Sequence, residues 1–299
     1  MGGEIQILGS IGLALIPAIL WGTFFYKKNP EDKRLLFLTF FLGALSVFPI
    51  LLYKFSWTYF PWLNAFEFAN RFDHIIGFAG IILPISVIIT FMIVGVIEEV
   101  MKLLSVKLVD DDKFDSIDDS MEYFIVAALG FSFTENILYF YTIWNTMGTE
   151  NLMIPFLFRS SFSTFAHIMF SGILGYYYGI AHFAKPILQD KIKSKRWHWT
   201  ILLHKIFSFR RERLFYQEKL LEGFLIAIIL HAVFNIFLEI NLLYMLIPFL
   251  IGGYITLNIL FAKKNSHKNY RLLLNGKRNH PSTKSGIYFE MRPIKVKSD

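Results

Sequence analysis

The fold class this sequence predicts is an all-α, polytopic membrane bundle of about seven transmembrane helices, and three observations carry the prediction. Of the 299 residues, 55% are hydrophobic and only 18% charged, whereas a soluble domain carries about 25% charged residues. Seven separate stretches approach the ~20 apolar residues that a helix needs to cross a bilayer. Strand-like alternation is absent along the chain, which favours helices over a membrane barrel.

The seven stretches run over 5–26, 35–53, 80–104, 123–141, 160–184, 221–239 and 241–262. The first is read as a retained span, because Met1–Gln6 has no basic region and no convincing cleavage site follows. Gly2 lacks the Ser or Thr that myristoylation wants, since Gln6 stands there. Lys27, Lys28, Lys33 and Arg34 follow the first span, while the longer second connection has only Lys54 and Arg71. The connections 185–219 and 263–299 carry ten Lys and Arg each. Basic residues concentrate on the cytoplasmic side, so the pattern places the N-terminus outside and the C-terminus in the cytoplasm.

Residues 1–262 therefore form one membrane domain, and 263–299 a basic, flexible cytoplasmic tail. The excess of positive charge, +7 overall, lies beside apolar spans and so points to anionic lipid rather than nucleic acid. The segment 105–122, with Asp110–Asp112, Asp115, Asp118 and Asp119, reads as an exposed cytoplasmic loop. The short run 152–158 reads as an interfacial or re-entrant piece. No cysteine is present, which excludes disulfides, thiolate metal sites and a cysteine nucleophile.

Polar groups inside the apolar stretches point to chemistry. An ionisable side chain at the bilayer centre costs roughly 2.5–3.5 kcal/mol on insertion scales, so such groups are rarely accidental. Glu98 and Glu99 precede Lys102 by four and three residues, spacings that bring opposite charges together on a helix. Adjacent carboxylates point about 100° apart, so one can face a cavity while its neighbour pairs with Lys102. Either is a candidate base for activating water. Glu135, followed by Asn136, has no Lys or Arg within two turns and must face protein, water or a cation. Arg159, Ser163, His167 and Ser171 form a stripe at four-residue spacing, in which the serines read as packing. His231 and Asn235 lie one turn apart, so Asn235 is placed to orient the imidazole or to stabilise an oxyanion.

The remaining histidines, His74, His182, His198, His204, His267 and His280, fall at span ends or in basic loops and read as surface groups. No His-Glu-x-x-His helix is present, which removes the common zincin arrangement. A zinc site built from His167, His231 and a glutamate is chemically sensible, with Glu135 the candidate ligand, and so is a metal-free Glu/His site.

The order Glu98-Glu99-x-x-Lys102, then Gly130-Phe131-x-Phe133-x-Glu135-Asn136-x-x-Tyr139, then Arg159 with His167, then His231-x-x-x-Asn235 resembles the PrsW family of intramembrane proteases. That family is distantly similar to the CAAX and Abi membrane proteases. The resemblance covers roughly 90–240, and Gly130–Tyr139 is its most specific part. Two positions depart from the family pattern: Ser163 stands where a Phe precedes the histidine, and Asn235 where Asp is frequent. The resemblance implies metalloprotease activity in a bacterial cell membrane on membrane-associated protein or peptide substrates. It gives Glu98, Glu99, Glu135, His167 and His231 catalytic roles, with Lys102, Asn136, Arg159 and Asn235 supporting them. Two rival functions use the same residues: a proton- or ion-coupled transporter, and a non-catalytic membrane factor. A transporter would carry repeat symmetry and broken helices, which the sequence does not show.

Overall fold

The computed structural model describes residues 2–26, 33–72, 74–78, 81–109, 114–193, 211–263 and 270. Among them the chain is an all-α bundle with one small hairpin. Helix α1 covers Gly2–Tyr26, and α2 (Lys33–Leu45) and α3 (Val47–Ser56) follow as two pieces of one apolar stretch. A 3-10 turn at Pro61–Leu63 and the short α4 (Ala65–Ala69) lead to the strands β1 (Ile75–Phe78) and β2 (Ile81–Pro84). Then come α5 (Ile85–Lys107), α6 (Ile117–Met147), α7 (Met153–Phe158), a π-helical turn at Arg159–Ser163 and α8 (Thr164–His182). The described chain ends with α9 (Ala184–Lys193), α10 (Arg211–Glu239) and α11 (Leu243–Ala262).

Five helical segments are long and apolar enough to cross a membrane: Gly3–Thr23, Lys33–Ser56, Ile117–Met147, Glu212–Glu239 and Leu243–Ala262. Large apolar side chains point away from the bundle on these segments, among them Leu8, Phe37, Leu52 and Ile255. A lipid-facing surface requires that arrangement, since every polar group must be satisfied inside. Helix α8 is the centre of the bundle. Its Phe170, Ile173 and Leu174 are buried in one core with Phe124 and Ile125 of α6 and Ala227 and Phe234 of α10.

Small residues set how closely the helices approach. A Cβ on Gly130 would sit 1.9 Å from the Phe40 carbonyl oxygen, and one on Gly43 2.2 Å from that of Ala127. Helices α2 and α6 therefore touch backbone to backbone, as membrane helices do through small residues.

Three sequence expectations are corrected. The stretch 80–104 is not helical from its start: Ile81–Pro84 pairs antiparallel with Ile75–Phe78, Gly77 opposite Ile82. Consecutive isoleucines suit either state, and a four-residue run is too short for periodicity to separate them. Pro84 then stands as the N-cap of α5. The acidic segment 105–122 is largely helical, because α5 runs to Lys107 and α6 begins at Ile117. Ser116 and Asp119 form a capping box there, with the Asp119 carboxylate accepting from Asp115 N at 2.8 Å and Ser116 N at 3.0 Å. Asp118 is buried rather than exposed; Asp110–Asp112 lie outside the described residues. Of the basic tail, Lys263 and Tyr270 are described, and Tyr270 donates its N–H to Asp115 O at 2.8 Å and stacks on Phe183. The expected flexibility of the tail otherwise falls outside the described residues.

Candidate active site

Helix α5 supplies two carboxylates and an ammonium within one turn. Lys102 Nζ lies 2.7 Å from Glu99 Oε1 and 4.0 Å from Glu98 Oε2, and Lys102 and Glu99 are wholly buried. Helix α8 brings His167 against this pair, its Nδ1 3.0 Å from Lys102 Nζ. An ammonium has no lone pair, so Nδ1 must be the accepting nitrogen. The ring proton then sits on Nε2, which donates to Glu135 Oε2 of α6 at 3.0 Å.

Glu135 finds its counter-ion across 24 residues: Arg159 Nη2 donates to Glu135 Oε2 at 2.6 Å. Arg159 Nε donates to Asn136 Oδ1 at 2.6 Å, and its guanidinium lies over the Tyr139 ring. The π turn makes this possible. It inserts one residue's worth of rotation between Arg159 and His167, so both reach the same glutamate, and π-bulges are frequent at functional sites. Thr164 closes the turn, donating to Arg159 O at 2.9 Å and accepting from Asn136 Nδ2 at 3.3 Å.

Helix α10 completes the cluster with His231. Its Nδ1 is 3.1 Å from Glu99 Oε1 and its Nε2 is 3.5 Å from Glu98 Oε2. A carboxylate only accepts, so Nδ1 carries the proton and the neutral ring presents the Nε2 lone pair to Glu98. Glu98 Oε2 is itself buried without a hydrogen-bond partner. Two lone pairs thus face each other with no proton between them. The formal charges point the same way: three carboxylates against Lys102 and Arg159 leave one net negative charge while both imidazoles are neutral. Phe170 stacks on His231 at 5.0 Å, and the two imidazoles meet edge to face at 5.3 Å.

Glu98, His167 and His231 offer one ligand atom each, all within 4.8 Å of one another. The carboxylate in that set is Glu98, whereas the sequence reading named Glu135, whose Oε2 is committed to Arg159 and His167. Asn235 is not among the partners of His231, whose ring nitrogens face the two glutamates. Ser171, read from sequence as packing, donates to Glu99 Oε2 at 3.3 Å. Thr164 was invisible in sequence because it lies off the four-residue stripe. His74 and His182 lie apart from this cluster, and the other four histidines fall outside the described residues.

A family profile described as PrsW family intramembrane metalloprotease matches residues 31–262. The chain belongs to this family. Among curated relatives, the chain is 27% identical over 203 residues to "Protease PrsW" of Geobacillus kaustophilus, covering 66% of this chain and 75% of that protein. It is 30% identical over 212 residues to "Protease PrsW" of Clostridioides difficile, covering 66% and 76%. "Protease PrsW" of Bacillus subtilis is 26% identical over 204 residues, covering 67% and 81%. No solved structure matches the chain. As a PrsW-family member it is an integral membrane hydrolase, an intramembrane peptidase acting on protein substrates. The transporter and non-catalytic readings are not favoured by this membership.

Proposed function

We propose that this protein cleaves membrane-associated polypeptides at the Glu98, Glu135, His167 and His231 cluster, within a bundle of about seven spanning helices in a bacterial cell membrane. The N-terminus then lies outside and the C-terminus in the cytoplasm, with the basic connections against anionic lipid. The observation that carries the reading is the meeting of the His231 Nε2 and Glu98 Oε2 lone pairs, 3.5 Å apart and buried. Such a pair fits a divalent cation such as zinc, and Glu98, His167 and His231 are the residues that would hold it. When bound, such an ion supplies Lewis acidity and a water acidified to near neutrality.

The chain's own groups divide the remaining work. Glu99 receives hydrogen bonds from Lys102, His231 and Ser171, so it fixes the His231 tautomer rather than reacting. Such carboxylate–histidine support is typical behind a metal-binding imidazole. Of the two α5 glutamates this leaves Glu98 to take the proton of the attacking water. His167 holds its proton on Nε2 beside Glu135, in position to pass it to the leaving amine. Arg159 keeps Glu135 charged and oriented, and Asn136 holds Arg159.

The test is cleavage of a single-span reporter in proteoliposomes, with and without chelator, together with measured metal content. Glu98→Gln, His167→Ala and His231→Ala each lose about 100-fold or more in kcat, since a positioned acid or base contributes ~10²–10⁴. Cleavage by the three variants at the wild-type rate would falsify the assignment.

A further inference from the structure

Beside the cluster, between α3, α4 and α5, lies a small cavity of about 40 Å³ whose walls include Ile50, Tyr53, Trp57, Phe66, Ile97 and Glu98. Binding pockets for organic ligands are typically ~300–1,000 Å³, so this space is far too small for a peptide side chain of any length. A water needs only ~10–15 Å³ of such room. The cavity therefore has the size of a site for one to a few waters.

Its polar lining has the matching chemistry. Trp57 Nε1 is buried without a hydrogen-bond partner, and so is Glu98 Oε2. An indole N–H only donates and a carboxylate only accepts. A buried donor left unpaired costs about 1–3 kcal/mol, so the indole N–H calls for a bridging molecule. The walls are also built rather than loose. The Trp57 ring meets Tyr53 and Phe66 edge-on, each at 5.3 Å. Tyr53 donates its hydroxyl to Leu63 O at 2.7 Å, and Asn64 caps α4 by accepting from Phe66 N at 3.0 Å.

We infer that this cavity is the water site of the active centre, in which the Trp57 indole N–H holds a water against the Glu98 carboxylate. Trp57 is then a positioning residue, acting through Glu98. Peptide hydrolysis consumes one water per bond cut: its oxygen joins the acyl carbon, the C–N bond breaks, and its protons end on the acid and amine products. In a bundle surrounded by lipid, a held water beside Glu98 supplies that reactant. The inference rests on the catalytic reading of Glu98 given above.

Two measurements test it. Brief X-ray pulses convert bound water to hydroxyl radicals, and oxidation of Trp57 in the full-length protein in proteoliposomes is read by mass spectrometry. Trp57 oxidises readily in the wild type and several-fold more slowly in Ala65→Phe, because Ala65 lines the cavity and the larger ring fills it. In the cleavage assay, Trp57→Phe, which keeps a ring but loses the N–H, lowers kcat about tenfold with KM unchanged. Equal Trp57 oxidation in wild type and Ala65→Phe overturns the inference, as does a raised KM at constant kcat, which would mean a substrate subsite. Glu98→Gln keeps the two ideas apart: if it cleaves normally while Trp57 still oxidises fast, the catalytic reading fails and the water site stands.

Discussion

Lys102 is the residue on which the buried charge depends. It is wholly buried, touches Glu99 and His167, and lies 4.6 Å from the Phe131 ring centre. Replacing it with methionine keeps the volume and leaves Glu99 as an uncompensated buried carboxylate. Loss of one partner of a buried pair costs about 3–5 kcal/mol. Lys102→Met is thus expected to lower unfolding free energy in detergent by that amount, and adding Glu99→Gln recovers part of it. If the single and double variants are equally unstable, the pair is not the source of the loss. This coupling was legible in sequence, because Glu99 and Lys102 share a helix face by spacing alone. The division of labour between Glu98 and Glu99 was not. It depends on which of two directions 100° apart meets α10, and no local pattern encodes that. The counter-ion of Glu135 was hidden for a similar reason, since Arg159 reaches it from another helix.

At the scale of elements, the π turn at Arg159–Ser163 matters most. Sequence showed the stripe Arg159, Ser163, His167 and Ser171 as a regular four-residue series, which implies one unbroken α-helix. The extra residue changes the phase of Arg159 relative to His167, and that phase lets both donate to Glu135 Oε2. Deleting Ser161, an exposed residue of the turn, restores α-helical register and turns Arg159 by about 100° about the axis. The deletion is expected to reduce kcat by about 100-fold while the helix content measured by circular dichroism stays unchanged. Ser161→Ala keeps the chain length and is expected to retain activity within about twofold. If the deletion variant cleaves normally, the turn has no part in aligning the site. The seven apolar stretches all contain helix in the structure, yet the β1–β2 hairpin and α4 were not foreseen. Both lie in a short-range aromatic and aliphatic run without period, and tertiary packing against α5 decides their state.

For the whole molecule, the membrane class and the convergence of four helices were readable because lipid makes intramembrane polar groups costly and therefore informative. Distances were not readable, since Glu98 and His231 are 133 positions apart and meet only through packing around α8. That topology gives a global consequence. A cation held by Glu98, His167 and His231 would tie α5, α8 and α10 together, and a ligand that binds only the folded state stabilises it by mass action. At a free ion concentration 100 times the dissociation constant the gain is about 2.7 kcal/mol, enough to raise the thermal midpoint by several degrees. Adding zinc to metal-stripped protein in detergent is therefore expected to raise the midpoint, and chelator to reverse the rise. His231→Ala removes the imidazole that faces Glu98 and is expected to abolish the shift. A shift of equal size in that variant would place the ion elsewhere, because a cluster that has lost one of its three donors cannot bind with unchanged affinity.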